Sequence, residues 1–194
     1  DNFFLWLFSR HRLVAYTFRD SILFTSGKLV LSPPGAHPLD PWYNARYSLN
    51  TPFHKEYDHN HRSVYLITQR IFRHSLLCLF DSPDTSTSTA SRSSSNVPAQ
   101  ALFLMNSNFI ENQSHALAVR TVNEKTNDDS RIRWLFEHLY SRNIESDELT
   151  GIMQFLKSYR QTPPSGPVSS AAVLPEYLAL CRVLLTSNEF FYID

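Results

Sequence analysis

The chain has 194 residues, of which 13% are aromatic, and its 18 basic side chains balance its 18 acidic ones. A chain of this length and composition can bury enough apolar surface to fold without a disulfide or a metal, and it is not typical of a disordered protein. The zero net charge argues against a broad nucleic-acid surface or a polybasic membrane anchor, and no apolar run approaches the ~18 residues of a transmembrane helix.

The first residue is Asp rather than Met, so we expect a processed chain or a piece of a longer protein. Cys78 and Cys181 lie in apolar, helix-like segments, and we interpret both as buried free thiols rather than a disulfide. The sequence has no Cys-x-x-Cys-His motif, which predicts that no c-type haem attaches within these residues and that this fragment carries no cofactor.

In residues 1–60 the sequence predicts one helix followed by a long irregular loop. The helix is expected to begin after a Ser9 cap and to end at Gly27, which can adopt the left-handed conformation past a helix end. Five prolines from Pro33 to Pro52 then exclude a regular helix, and no alternating pattern indicates a strand there.

Residues 61–194 read as a strand followed by a helical core. Apolar side chains alternate from Arg62 to Arg70, which favours a strand, and a short helix is expected in HSLLCLFD. Asn96 is a plausible cap for a helix with Pro98 in its first turn, and Asp128 or Asp129 for a later one. Apolar residues at helical spacing predict a core; its members are Trp134, Leu135, Phe136, Leu139, Leu149, Met153, Leu156, Leu180 and Leu184.

The predicted fold is therefore mainly α. We expect one irregular helical domain over residues 1–194, with five or six helices, long Pro-rich and Ser/Thr-rich loops, and at most one or two short strands. Thr85 to Ser95 is Ser or Thr at nine of eleven positions, and its single charge is Arg92. This stretch is either a linker or a polar loop packed against the next helix.

The segment FHKEYDHNH offers imidazoles and carboxylates, which are metal ligands. The spacing of His54, His59 and His61 matches no closed ligand set, so a solvated loop is the favoured interpretation and a metal site the minor alternative.

Arginines flank the predicted strand and the Ser/Thr-rich stretch, and Asp81 and Asp84 lie between them. A structural network of ion pairs is the favoured interpretation, and an anion or sugar site lined by arginine and hydroxyls is the alternative. Arg92 is expected to pair with Asp81 or Asp84, or else with Glu189. Asn188 is expected to end the last helix, with Glu189 paired to an arginine of the body. The candidate binding or network residues are Arg62, Arg70, Asp81, Arg92, Gln100, Asn106, Asn188 and Glu189.

Several segments occur in an order typical of one family: RLVAYTFRDSILFTSGKL, RSVYL, LFDSPD, SRSSSNVPAQALFLMNSNF and the terminal LLTSNEFFYID. From about Asn2 to Asp194 the chain resembles the Planctomycete PSD-one family, the C-terminal domain of unknown function of planctomycete cytochrome-c-domain proteins. The resemblance implies a secreted protein of the periplasm or cell surface, with haem c only in an upstream domain. It also implies that the Ser/Thr-rich stretch lies inside the domain.

Two functions are consistent with these features. The first is a non-catalytic C-terminal module that contacts upstream domains of its own polypeptide and binds protein or cell-surface polysaccharide, without nucleic acid or membrane insertion. The alternative is a hydrolase or redox-assisted polysaccharide-processing enzyme, with an active cleft lined by Arg62, Asp81, Arg92 and Glu189. Convergence of these four side chains in one pocket would favour the enzyme, although no catalytic residue can be assigned from the sequence.

Overall fold

A computed structural model describes residues 10–35, 58–68, 70, 73–161 and 174–193. In these residues the fold is mainly α, as the sequence predicts, and six of its helices have nine residues or more. The α-helices are α1 (Ala15–Thr25), α2 (Ser75–Leu79), α3 (Pro98–Asn106), α4 (Asn108–Glu124), α5 (Asp128–Tyr140), α6 (Ser146–Gln161), α7 (Pro175–Leu185) and α8 (Asn188–Phe191). None of the described helices is both long and apolar enough to cross a membrane.

Two very short strands, β1 (His11–Arg12) and β2 (Tyr192–Ile193), pair in antiparallel register across almost the whole chain. The Leu13 N–H continues the pairing by donating to the Phe191 carbonyl at 2.8 Å. The expected helix start near Ser9, which lies outside the described residues, is wrong, because α1 begins only after this pairing ends. The expected left-handed residue past the helix is confirmed, since Gly27 has φ +74°.

The strand predicted from Arg62 to Arg70 is wrong. A 3-10 turn occupies Ser63–Tyr65, and among the described residues a single parallel bridge joins His61, which precedes the predicted strand, to Val30. The physical reason is a carboxylate on α1: Asp20 accepts hydrogen bonds from the Ser63 backbone N–H at 2.7 Å and from its hydroxyl at 2.6 Å. A backbone donor held by a side chain cannot take part in a ladder.

The hydrophobic core lies between α1, α4, α5 and α7. Phe18, Leu117, Leu135 and Leu185 are completely buried there, and Phe18 stacks on Phe191 with 4.3 Å between ring centroids. Of the predicted core residues, the fully buried ones are Leu135, Phe136, Leu156, Leu180 and Leu184, and those partly buried against the core are Trp134, Leu139 and Leu149.

Three sequence-based details need correction. Met153 was predicted in the core but is 41% exposed. The residue that α6 buries in the core is Leu156. Cys78 is an exposed thiol, whereas Cys181 is buried as expected, and burial raises the pKa of the Cys181 thiol to about 12. Asn188 does not end a helix in the left-handed conformation, because it is the first residue of α8, after the Ser187 cap.

Helix caps also differ from the expected ones. The N-cap of α3 is Val97 rather than Asn96. The Val97 backbone N–H donates a hydrogen bond to the side-chain amide oxygen of Gln100 at 3.4 Å. The N-cap of α5 is Asn127, whose side chain accepts from Ser130, while Asp128 and Asp129 lie in the first turn. Acidic side chains there still favour the positive end of the helix dipole.

Candidate functional site

A buried arginine on α1 holds the segment 58–63 against the body. The Arg19 side chain is 1% exposed; its guanidinium pairs with Asp58 and donates to the His59 and His61 carbonyls and to the Ser63 hydroxyl. Burial acts to raise the pKa of Asp58, but hydrogen bonds from His74 and Arg19 outweigh it and hold this pKa at about 2. Together with the Asp20 bonds to Ser63, these contacts fix the backbone on which Arg62 stands.

A second network anchors the Ser/Thr-rich stretch. Asp81, in the left-handed region at φ 61°, accepts from the Ser95 backbone N–H at 2.8 Å and from its hydroxyl at 2.7 Å, and it pairs with Arg12. Gln100 accepts from Arg12 at 3.3 Å and donates to the Leu79 carbonyl at 2.9 Å. Burial acts to raise the pKa of Asp81, but the hydrogen bonds from Ser95 and the pairing with Arg12 outweigh burial and lower this pKa. The end of the stretch is therefore fixed at the start of α3, which favours the packed-loop interpretation over the linker.

The prediction that Arg92 pairs with an acidic residue is wrong. Asp81 pairs with Arg12, Asp84 with Arg73 and Glu189 with Arg142, while the Arg92 guanidinium lies over the Tyr16 ring, 5.9 Å from its centroid. Arg92 is also exposed, and a cation–π contact at an exposed site contributes about 0.5–1 kcal/mol.

We predict that Asp81→Ala lowers the free energy of unfolding by about 2–3 kcal/mol. The substitution leaves the 9%-exposed Arg12 without its carboxylate, removes two bonds to Ser95 and places alanine at a positive φ. Arg92→Ala, the matched control in the same region, should cost less than about 1 kcal/mol. Urea unfolding of both variants measures the two values, and equal losses would contradict this account of the loop.

The remaining candidates have local roles or lie apart. Asn106 donates to the Leu102 carbonyl within α3 at 2.9 Å, and Arg70 is exposed. His54 lies outside the described residues. The His61 ring donates to the Ser32 carbonyl at 2.8 Å, and a His59 ring nitrogen lies 3.3 Å from the Tyr65 carbonyl. The described part of the chain contains no group of three or more His, Cys, Asp or Glu side chains placed to hold a metal.

Arg62 and Glu189, two of the four residues expected to line a cleft, do line a common one. This cleft, called here the near cleft, has a volume of about 770 Å³ and is open to solvent. Its walls come from α1, from Arg62, from the end of α5 with the turn after it, and from α8 with β2. Asp81 and Arg92 are not among its lining residues.

The polar groups of the near cleft are mostly engaged with one another. The Arg142 guanidinium donates two bonds to Glu148, at 2.7 and 2.8 Å, and two to Glu189, at 2.5 and 3.0 Å, which confirms the expected pairing of Glu189 with an arginine. Hydrogen bonds from Arg142 lower the pKa of Glu148 to about 2. Burial raises the pKa of the Tyr140 hydroxyl to about 12, and this hydroxyl donates to the Leu184 carbonyl or to Ser187.

Arg62 differs from these residues. Its side chain is exposed at the cleft wall, and among the described residues it makes no hydrogen bond or ion pair. Phe24, which belongs to α1 and lines the same cleft, is 59% exposed. A guanidinium without a partner among the described residues and an exposed aromatic ring in the same cleft are both available for a ligand.

A second cleft, called here the far cleft, lies on the other side of Phe24 and Leu29, which line both clefts. Its volume is about 820 Å³, and the Gly27 turn and the outer face of α4 form its walls. His138 belongs to the near cleft and stacks between Phe24, at 6.4 Å, and Trp134, at 4.6 Å. Burial lowers the pKa of His138, which disfavours its charged form.

Sequence reasoning missed the arginines that build the site, and also Phe24, which lines both clefts. Arg12, Arg19 and Arg142 make the three networks, and none of them was a candidate. For Arg19 a signal existed, because an arginine on the apolar side of a helix must find a partner when that side is buried.

The fold and the clefts thus define a mainly helical domain in which arginine networks fix irregular segments around two open clefts. The model of the PSD1 family, described as a protein of unknown function (DUF1553), matches residues 1–156, and the chain belongs to this family. The match confirms the family suggested by the sequence. Neither a curated protein nor a solved structure matches the chain.

Proposed function

We propose that this domain is a non-catalytic polysaccharide-binding module and that the near cleft holds the ligand. The observation that carries the proposal is that one open cleft is lined both by the exposed Phe24 ring and by the Arg62 guanidinium, which has no partner among the described residues. A sugar ring has an apolar face of C–H groups that can cover an aromatic ring, and its hydroxyls accept hydrogen bonds from guanidinium donors. The cleft offers both contacts on a rigid wall.

The state of the carboxylates favours binding over hydrolysis. Glycoside hydrolysis uses a pair of carboxyl groups, one of which must be able to donate a proton. In the near cleft, Asp20 accepts two bonds from Ser63 and Glu189 is held by Arg142, so both act as structural acceptors. Asp81, the other carboxylate of the enzyme hypothesis, holds Ser95 outside this cleft.

The context of the module is proposed from the family resemblance. The domain would be the C-terminal part of a secreted or cell-surface cytochrome-c-type protein, located in the periplasm or at the cell surface. Haem c would belong to an upstream domain, and the upstream domains would be its partners within the same polypeptide. In that arrangement the module holds the haem protein on a polysaccharide.

Affinity electrophoresis in gels that contain polygalacturonate, chondroitin sulfate or dextran tests the proposal. The wild-type domain should be retarded by at least one of these polymers, and Phe24→Ala and Arg62→Ala should each weaken binding about tenfold or more, since each removes one of the two contacts. Arg133→Ala is the matched control, because Arg133 is paired with Asp129 on α5 and lines neither cleft.

Two results would contradict the proposal. One is a folded wild-type domain that none of the three polymers retards. The other is release of new reducing ends from a retarding polymer, which would establish the hydrolase alternative instead. Loss of retardation in Arg133→Ala equal to that in Arg62→Ala would show that the effect is not specific to the cleft.

A further inference from the structure

The near and far clefts adjoin each other on the surface. Phe24 and Leu29 belong to the lining of both, so a chain that covers the Phe24 ring reaches into each cleft at once. A single sugar ring covers one aromatic ring, whereas a path through two clefts of about 770 and 820 Å³ suits a polymer.

One unpaired basic side chain stands in each cleft. Lys28 lines the far cleft, and Arg62 lines the near cleft. Both side chains are exposed, and among the described residues neither side chain makes a hydrogen bond or an ion pair. The other arginines of the two walls are occupied: Arg120 donates to the Thr25 carbonyl and lies over Trp134, and Arg142 is held by two glutamates.

The acidic side chains of the clefts are fewer than the basic ones. Asp20 and Glu189 line the near cleft and are bonded to Ser63 and Arg142, and Glu124 lines the far cleft at the end of α4. Within the described residues, Lys28 and Arg62 therefore remain as basic groups without a carboxylate partner, one in each of the two clefts that Phe24 lines.

The backbone holds these two basic residues in a fixed relation. The positive φ of Gly27 turns the chain back over α1, and the Lys28 N–H donates to the Leu23 carbonyl at 2.8 Å. The Val30 N–H then donates to the Asn60 carbonyl at 2.8 Å, which joins the segment after Lys28 to the segment before Arg62. A fixed spacing of charges selects a ligand with a repeated charge rather than a single one.

We infer that the polymer bound at this surface, if the proposed function holds, is an acidic polysaccharide whose chain crosses Phe24 and occupies both clefts. One anionic group lies at Arg62 and another, further along the same chain, at Lys28. Carboxylate and sulfate groups share the required charge; the planar Arg62 fork matches a carboxylate in two-pronged geometry.

Isothermal titration calorimetry tests the inference with a galacturonate trimer, a galacturonate octamer, a chondroitin sulfate octamer and a neutral malto-octaose. The two charged octamers should bind at least about tenfold more tightly than the trimer. Once one anionic group is bound at Arg62, the contact of a second group with Lys28 becomes intramolecular. Lys28→Ala should remove this advantage of length and leave the trimer affinity unchanged. Lys157→Ala, on α6 outside both clefts, should change neither value. The relative affinities of the two charged octamers decide between carboxylate and sulfate.

Several outcomes would overturn the inference while the proposed function stands: equal affinity for trimer and octamer, equal affinity for the neutral octamer, or an unaffected Lys28→Ala variant. Tighter binding of an oligothymidylate than of either charged octamer would also overturn it, because the partner would then be a nucleic acid. If the wild-type domain binds no saccharide in any assay, the proposed function fails, and the inference fails with it.

Discussion

Replacing Leu135 with alanine is expected to lower the free energy of unfolding by about 2–5 kcal/mol. Leu135 lies on the inner face of α5 with no exposed surface, and Ile132 and Phe136 of the same helix are also buried. The substitution removes buried methyl groups and leaves a cavity that packed helices fill only in part. Urea unfolding monitored by circular dichroism at constant m-value measures the loss.

Met153→Ala is the matched control for this prediction, because Met153 is 41% exposed on α6 and its side chain has little buried surface to lose. Its cost should stay below about 1 kcal/mol. A loss below about 1 kcal/mol at Leu135 as well would mean that α5 does not contribute its apolar face to the core.

The Arg19→Ala substitution is expected to lower the free energy of unfolding by about 3 kcal/mol. The guanidinium is 1% exposed, pairs with Asp58, donates to two backbone carbonyls and lies over the Phe109 ring at 5.8 Å. Breaking a buried pair costs about 3–5 kcal/mol when the remaining charge is left without solvent. Asp58 is 51% exposed, so water can solvate its carboxylate, and the cost falls at the lower end of this range.

Two variants sharpen the Arg19 experiment. Arg133→Ala removes an exposed i,i+4 pair and should cost about 0.3–0.5 kcal/mol. Arg19→Lys keeps the charge but has three donors on one nitrogen in place of the guanidinium fork, so it should remain well below wild-type stability. If Arg19→Lys is as stable as the wild type, charge alone matters and the hydrogen-bonded clamp on residues 58–63 has no separate effect.

The helices of the second half were predictable from the sequence because their pattern is local. Ile132, Leu135, Phe136 and Leu139 recur at helical spacing, and each lies in the core or packs against it. The pairing of β1 with β2 was not predictable, since each strand has only two residues and the partner lies at the other end of the chain. Two residues are too few to show an alternating pattern.

Site residues were harder to predict than helices for a related reason. The alternative hypothesis from the sequence placed four residues in one cleft, and two of them, Arg62 and Glu189, do line a common one. Asp81, expected with Asp84 as a partner of Arg92, pairs with Arg12 instead. Any exposed arginine near an aspartate in sequence can reach it, so proximity along the chain does not select one partner. Burial selects it: Arg12 is 9% exposed and must satisfy its donors within the protein, whereas the exposed Arg92 can use water.

The pairing of β1 with β2 also determines how the domain would respond to tension. His11 and Ile193 are opposite each other, so the two ends of the described chain lie close together. A force that draws these two ends apart would open the strands one residue pair at a time, which offers little mechanical resistance. Tyr192 and Ile193 are also part of the near cleft, and Phe191 stacks in the core behind them. A pull on the two ends would therefore distort the near cleft before it unfolds the core, and under the proposed function a bound ligand would oppose this distortion.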